Sequence, residues 1–184
     1  MRGQDDMKRL FSFGLTFSLV FALTGCGGNS TEPRMTADEY TKQLWEAYEA
    51  AGYVVNELDE GIPNSGTDPD IGEYDYVGYI ISDGVYVGTY ECNDVLLRVQ
   101  AWLDLTLASD PDIELGAFAI GNLIQYADPD IAEDLTASLG LDSMEEGVFE
   151  ADGNAGHYKS LIGPVTTKSI TLIYTLDPPP SAEE

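Results

Sequence analysis

One stretch of the chain decides the fold: residues 74–92 read YDYVGYIISDGVYVGTYEC. Residues 74–82 and 85–92 are rich in Tyr, Val and Ile, which favour strands. Asp83-Gly84 separates these two runs. An Asp-Gly pair in this position predicts a type I′ turn, which needs positive φ at both residues. The stretch therefore predicts an antiparallel β-hairpin.

The predicted turn also fixes which residues face each other across the hairpin. A two-residue turn pairs Ser82 with Val85, and further from the turn it pairs Tyr79 with Gly88. In that register the Tyr79 ring would cover the strand glycine, which stabilises glycine in a sheet.

The segment before the hairpin begins with a predicted helix. Thr36 and Glu39 have the spacing of a capping box, and Gly52 is expected to end the helix. The helical spacing in between is carried by Tyr40, Leu44, Tyr48 and Ala51. Residues 53–55 predict a short strand, and residues 59–73 read as an acidic loop punctuated by Gly and Pro.

The segment after the hairpin, residues 94–108, is ambiguous. Apolar residues occupy every second position from Val95 to Leu107, which is the pattern of a strand. The run is also rich in Leu, has Asn93 as a candidate N-cap and would make a long strand. We favour a helix that is buried on nearly all sides, and the strand stays open as the alternative.

The motif Asp-Pro-Asp-Ile occurs three times, starting at Asp68, Asp110 and Asp128. Asp as N-cap followed by Pro at the first helical position is typical of a helix start. The second and third copies precede apolar stripes and predict helices, the last one ending at Gly140, whereas the first copy predicts a turn. Three further strands are expected over residues 148–150, 158–162 and 170–176. The order of elements predicts an α+β, two-layer domain: a mostly antiparallel sheet with helices packed on one face.

The N-terminus carries the most specific motif of the chain. Met7-Lys8-Arg9 gives a positive start, residues 10–22 are apolar, and Leu23-Thr24-Gly25-Cys26 follows at once. This order resembles the signal and lipobox of bacterial lipoproteins; whether translation starts at Met1 or Met7 stays open. The resemblance implies a diacylglycerol on the Cys26 thiol, cleavage before that residue, and a lipid anchor in a bacterial membrane outside the cytoplasm. Beyond this motif, the domain resembles small envelope lipoproteins in general type only.

The domain boundaries follow from these features. We expect a signal peptide over residues 1–25, a short polar tether over 26–35, and a single α+β domain over 36–177. A disordered, Pro-rich tail is expected over residues 178–184.

The charge of the chain excludes nucleic acid as a partner. It has 33 Asp and Glu against 8 Lys and Arg, a formal net charge of −25, and no basic stripe. Cys92 has no partner once Cys26 is lipidated, and we expect it to be buried. The single histidine, His157, is expected in an exposed loop, and no nucleophile elbow or dinucleotide motif occurs. The chain therefore lacks a complete catalytic constellation and no cofactor is expected.

Two candidate sites remain. An acidic loop offers oxygen ligands to calcium at Asp68, Asp70, Glu73 and Asp75, although the EF-hand spacing is absent. The hairpin offers an aromatic platform for a sugar or peptide at Tyr74, Tyr76, Tyr86 and Tyr90, if these side chains do not all pack in the core.

These observations predict a membrane-anchored, extracytoplasmic protein that binds or scaffolds an envelope protein or glycan and is not an enzyme. Two alternatives stay open: a surface enzyme that uses carboxylates on a glycan, and a binding module that depends on a divalent cation.

Overall fold

The structure is a computed structural model, and it describes residues 36–55, 59–60, 63–164 and 168–177. The predicted signal peptide, Cys26, the tether and the Pro-rich tail lie outside these residues.

The described residues form three α-helices and an eight-stranded sheet. The helices are α1 (Ala37–Ala50), α2 (Asp110–Ala127) and α3 (Ala132–Ser138), and a short 3₁₀ turn (Pro129–Ile131) precedes α3. The strands are β1 (Asp59–Glu60), β2 (Asn64–Asp68), β3 (Gly72–Ser82), β4 (Val85–Cys92), β5 (Val95–Asp104), β6 (Gly147–Asp152), β7 (Gly156–Ile162) and β8 (Ser169–Leu176).

The sheet is antiparallel throughout, and its strand order is β1-β3-β4-β5-β8-β7-β6, with β2 also paired to β3. Side chains on one face form a single core with the helices. The sheet contributes Val87, Val99, Leu103, Leu172 and Tyr158 to this core, among others. The prediction of an α+β, two-layer domain with an antiparallel sheet is confirmed.

The first helix begins and ends where the sequence predicts. The Thr36 hydroxyl accepts from the Glu39 N–H, and the Glu39 carboxylate accepts from the Thr36 N–H. A residue distant in sequence adds a third bond, because the Glu91 carboxylate accepts from the Ala37 N–H at 2.8 Å. Gly52 follows the helix with a φ of 81°, as expected of a C-terminal glycine.

The prediction of a helix over residues 94–108 is wrong, because residues 95–104 form strand β5 at the centre of the sheet. One set of alternate side chains (Val99, Ala101, Leu103) lies in the core, and the other set (Arg98, Gln100, Trp102) faces away from it. A tertiary environment with one buried face selects the period of two over the helical tendency of leucine.

The turn chemistry also differs from the prediction. Gly84 has positive φ but Asp83 does not, and the register between β3 and β4 shifts between Ile80 and Ser82. The turn is therefore not type I′, and the shift is typical of a bulge beside a left-handed glycine. The positive φ pair expected at Asp83-Gly84 occurs instead at Asn93 and Asp94, with φ of 52° and 63°, in the next hairpin.

The bulge moves the strand partners by one residue. Ser82 pairs with Val85 as predicted, but Tyr79 pairs with Val87 and Gly88 pairs with Gly78. The prediction that Tyr79 covers Gly88 is therefore wrong.

Three smaller predictions are also corrected. Residues 53–55 form no strand, and Tyr53 packs its ring against those of Tyr48 and Phe118. The acidic loop over residues 59–73 contains β1 and β2, which pair with β3, and the first Asp-Pro-Asp-Ile copy is a turn as predicted. Cys92 is half-buried rather than buried.

The two predicted aspartate N-caps take other roles. Ser109, one residue before Asp110, is the N-cap of α2, and Asp112 accepts from its N–H. Asp128 makes no cap bond with its side chain, which instead accepts from the Tyr158 hydroxyl and the Asn154 N–H. Both helices nevertheless begin within a few residues of the motif, and Gly140 follows α3 with a φ of 68°.

Candidate functional site

The sheet has a second face, called here the outer face, that points away from the helices. None of the helices in the described residues packs on it, and its side chains are not part of the core. The register of the strands lines these side chains up in rows that run across the sheet. We therefore take this face as the candidate site.

The first row, called the apolar row, crosses six strands. It is made of Ile80, Tyr86, Trp102, Thr171, Leu161 and Val148, each paired with the next. Large apolar side chains in it remain exposed: 47% for Ile80, 39% for Trp102 and 59% for Val148. Tyr86 and Trp102 stack on each other, with ring centroids 5.1 Å apart and planes inclined by 30°. Trp102 is exposed and Tyr86 is half-buried. Aromatic rings that reach the surface are typical of sites that bind a ligand.

The other tyrosines of the predicted platform lie at the opposite end of β3 and β4, in what we call the tyrosine cluster (Tyr74, Tyr76 and Tyr90). The Tyr90 ring lies 5.1 Å from that of Tyr74 and 4.9 Å from that of Tyr76, between centroids. Burial raises the pKa of the Tyr76 and Tyr90 phenols, so both stay protonated at neutral pH and can donate hydrogen bonds. The Tyr90 hydroxyl donates to the Gln100 side-chain oxygen at 3.1 Å.

The row between the apolar row and the tyrosine cluster contains two paired glycines, Gly78 and Gly88. A Cβ atom built on Gly88 would lie 2.4 Å from Tyr76 Cε2, and one built on Gly78 would lie 2.7 Å from the Tyr76 hydroxyl. The Tyr76 ring thus covers both glycines. This is the aromatic cover that the sequence predicted for Tyr79, and it is supplied by a diagonal neighbour on the outer face.

Arg98 joins the tyrosine cluster to the turn after β2. Its guanidinium lies 3.1 Å from an Asp68 oxygen and 3.6 Å from an Asp70 oxygen, and its Nε donates to the Thr175 hydroxyl. The guanidinium carbon lies 5.7 Å from the Tyr90 ring centroid, within range of a cation–π contact. The pKa of Asp68 is lowered, first by the hydrogen bond from the Asp70 N–H and then by the bond from Arg98.

The remaining charges of the outer face are also paired. Lys159 donates to Glu150 at 2.9 Å, across β6 and β7. His157, which was expected in a loop, lies in β7 with an exposed side chain. Its Nδ1 is 2.6 Å from an Asp152 oxygen and its Nε2 is 3.3 Å from an Asp177 oxygen. The ion pairs of the outer face thus join five carboxylates to two permanent cations and one histidine, so this face shares the acidic excess of the chain.

The structure does not bring the four candidate calcium ligands together. Asp68 and Asp70 face Arg98, whereas Glu73 and Asp75 alternate with Tyr74 along β3 and point to the other face of the sheet. Across the part of the chain that the structure describes, no group of three or more His, Cys, Asp or Glu side chains could hold a metal ion.

A groove of about 440 Å³ lies beside the tyrosine cluster at the edge of the sheet. Its lining is polar and acidic: Ser65, Gly66, Thr67, Glu73, Tyr74, Asp75, Glu91, Cys92 and Asn93. The Glu91 carboxylate already accepts a hydrogen bond from the Ala37 N–H at the start of α1, and the residues that line the groove include no acid paired with a base. It therefore adds little chemistry to the outer face.

Sequence reasoning found the four tyrosines of the platform but missed Trp102, Ile80 and Arg98. The structure places all four tyrosines on the outer face, three of them in the tyrosine cluster and Tyr86 in the apolar row. Trp102 and Arg98 lie on β5, which was predicted as a buried helix. The alternation of Arg98, Gln100 and Trp102 was the signal that could have found them.

Comparison of the chain with protein-family models, with curated proteins and with solved structures gives no match. None of the described helices has the length and apolar character needed to cross a membrane.

Proposed function

We propose that the protein is a bacterial lipoprotein, anchored through Cys26 outside the cytoplasm, whose outer face binds another component of the cell envelope without chemical turnover. The anchor is supported by the order of positive start, apolar run and Leu23-Thr24-Gly25-Cys26. The binding role is supported by one structural observation, the stacked pair of half-buried Tyr86 and exposed Trp102 on a sheet face that no described helix covers.

The same face argues for binding rather than catalysis. The carboxylates along it, those of Asp68, Asp70, Glu150, Asp152 and Asp177, each lie 2.6–3.6 Å from a nitrogen of Arg98, Lys159 or His157. Binding requires only that a surface be complementary to its ligand, and an aromatic surface with fixed hydrogen-bonding groups can provide this.

Binding is tested by co-sedimentation of the full-length protein with isolated envelope fragments, in a detergent that keeps the lipid anchor in micelles. We expect saturable binding that Trp102→Ala weakens about tenfold, because loss of an aromatic anchor removes much of the contact area. Tyr126→Ala is the matched control: Tyr126 is exposed to 38%, nearly the same as Trp102, but lies on α2. If both variants bind like the wild type, or if no binding is seen, the proposed binding role is wrong.

The anchor is tested in cells with Cys26→Ala. We expect this variant to lose labelling by a fatty-acid probe, because the thiol that carries the lipid is absent. We also expect it to be missing from the membrane fraction as mature protein and to be found in uncleaved or released forms. A variant that is labelled and anchored like the wild type would contradict the lipoprotein assignment.

A further inference from the structure

The groove beside the tyrosine cluster reaches to the start of α1. Its three carboxylates belong to Glu73, Asp75 and Glu91. Glu91 pairs with Asp75 across β3 and β4, so both side chains lie on one face of the sheet, and Glu73 lies two residues away along β3 on the same face. The Glu91 carboxylate accepts from the Ala37 N–H at 2.8 Å, which places the first turn of α1 against this acidic wall.

These three carboxylates have no cation beside them among the residues that the structure describes. Every ion pair in that part of the chain uses other acids; the basic partners in these pairs are Lys42, Arg98, Lys159 and His157. Glu73 and Asp75 are exposed and Glu91 is half-buried. Like charges that line one groove repel each other, and a cation placed among them removes this repulsion.

One basic residue precedes this groove directly in sequence. Arg34 lies two residues before Thr36, the N-cap of α1, and so just outside the described residues. Two residues of backbone span at most about 7 Å, and the chain enters α1 beside the Glu91 carboxylate. The long side chain of Arg34 therefore starts within reach of the groove. Because it is covalently joined to α1, its effective concentration there is far above that of a free cation.

We infer that the tether folds back onto its own domain, with the Arg34 side chain in the groove and its guanidinium paired with the carboxylates of Glu91, Asp75 and Glu73. A guanidinium carries five N–H donors in a planar fork, so it can bind more than one carboxylate at once. Single exposed ion pairs contribute little to stability, but one guanidinium shared by three carboxylates forms a network.

This contact gives the lipid anchor a direction, and only this consequence rests on the proposed function. With Arg34 held in the groove, the free part of the tether is residues 27–33, which span at most about 25 Å. The end of the sheet that carries the groove and the tyrosine cluster is then the end nearest the bilayer. The apolar row lies further along the strands, since four residues of β4 separate Tyr86 from Tyr90.

Limited proteolysis tests the contact, because trypsin cleaves after arginine and Arg34 is the single such site in the tether. The full-length protein is digested in detergent, and mass spectrometry follows the fragment produced by cleavage after Arg34. We expect Glu73→Gln/Asp75→Asn/Glu91→Gln to be cut there about fivefold faster than the wild type, because the undocked form is more populated. Glu91→Gln keeps an oxygen that can accept from the Ala37 N–H, so the start of α1 is retained.

The matched control changes the net charge by the same amount at three exposed carboxylates elsewhere, as Asp130→Asn/Glu133→Gln/Asp134→Asn. It should be cut at the wild-type rate. In about 1 M NaCl, where screening acts over ~3 Å, the wild type should approach the rate of the groove variant. Each rate is divided by the rate for a small arginine substrate in the same buffer. Equal rates for the wild type and the groove variant would overturn the inference.

A second measurement leaves the groove unchanged. In Arg34→Lys, a carbodiimide activates a carboxyl group, and the lysine amine displaces the activating group to form an amide bond with a neighbouring side chain. Mass spectrometry should locate this bond at Glu73, Asp75 or Glu91. Bonds to other acids with none in the groove would overturn the inference. Neither measurement depends on the lipid or on an envelope partner, so failure of this contact is distinct from failure of the proposed function, which Cys26→Ala and co-sedimentation test.

Discussion

At the scale of single residues, Gly84 shows most clearly why the chain needs a glycine. Its φ is 78°, and a Cβ atom there would lie 2.7 Å from the Asp104 carbonyl oxygen and 2.9 Å from the Ala108 nitrogen. Both contacts are with backbone atoms, so relief requires movement of the chain that follows β5.

We therefore predict that Gly84→Val lowers the free energy of unfolding by about 1–3 kcal/mol, because a β-branched residue is strained at positive φ and also clashes. Chemical denaturation measures this change. The control is Gly121→Ala in α2, where a Cβ atom has no neighbour within 4 Å. That substitution should raise stability by up to ~1 kcal/mol, because Ala favours a helix over Gly. Equal midpoints for Gly84→Val and the wild type would contradict the role given to this turn.

The requirement for a glycine could be predicted from the sequence, but the type of turn could not. Asp-Gly marks a hairpin in either case, and the choice between a two-residue turn and a bulged one depends on the strand beside it. Here Gly84 also accepts, through its carbonyl, a hydrogen bond from the Asp104 N–H at 2.7 Å. That contact lies twenty residues away in sequence, and the local pattern does not contain it.

At the scale of elements, Asp128 ties the end of α2 to the turn between β6 and β7. It is a fully buried carboxylate that accepts from the Tyr158 hydroxyl and from the Asn154 N–H, each at 2.7 Å. Burial raises the pKa of Tyr158, and the hydrogen bond to Asp128 adds to this, so the phenol remains a donor. The helix layer and the sheet are joined at this point by polar contacts that exclude water.

We predict that Asp128→Ala lowers the free energy of unfolding by about 2–4 kcal/mol, because it leaves the buried Tyr158 hydroxyl and the part-buried Asn154 N–H without an acceptor. Tyr158→Phe should cost less, about 1–2 kcal/mol, because one hydrogen bond to the carboxylate remains. Urea denaturation of both single variants and the double variant gives their coupling. Asp130→Ala, at an exposed position two residues away, should change little. Additive effects of Asp128→Ala and Tyr158→Phe would show that the two groups do not act together.

Some helices and strands of the fold and of the candidate site could be predicted from the sequence, and strand β5 could not. The hairpin, α1, α2 and the last three strands were predictable because their residue patterns are clear, although the N-cap of α2 and the type of hairpin turn differ from the prediction. Strand β5 was not, since its apolar residues fit both a strand and a buried helix, and only the neighbouring strands β4 and β8 decide between them. Because β5 was predicted as a helix, the predicted site did not include Trp102, which stacks on Tyr86, or Arg98, which lies over the Tyr90 ring.

At the scale of the whole molecule, charge should govern how stability responds to solution conditions. Most of the 33 acidic side chains have no basic partner, since there are only 8 Lys and Arg. Their mutual repulsion destabilises the compact state at neutral pH. We expect the melting temperature at pH 7 to rise between about 0.1 M and 1 M NaCl, as the screening length falls from ~10 Å to ~3 Å. A flat or falling melting temperature would show that repulsion between carboxylates is unimportant.

Acidification should act in two opposite ways, and the sign of each is fixed by the structure. From pH 7 toward pH 5, carboxylates with ordinary pKa values begin to take up protons, so repulsion falls and the melting temperature should rise. Below about pH 4 the effect of acid reverses, and further acidification should lower the melting temperature. The pKa of Asp68, Asp104 and Asp112 is lowered in the folded state, first by hydrogen bonds from the Asp70 N–H, the Thr106 hydroxyl and the Ser109 hydroxyl, respectively.

A carboxyl group whose folded-state pKa is lowered contributes stability that is present above its unfolded pKa and is lost as the pH falls through the folded pKa. The melting temperature should therefore pass through a maximum near pH 5 and fall at lower pH, as measured by thermal unfolding from pH 8 to pH 2. Asp68→Asn should flatten the acid side of this curve, because the variant has no carboxyl group to protonate beside Arg98. Asp130→Asn, on an exposed residue, should leave that side unchanged. A melting temperature that falls steadily from pH 7 downward would show that paired carboxylates outweigh repulsion over the whole range.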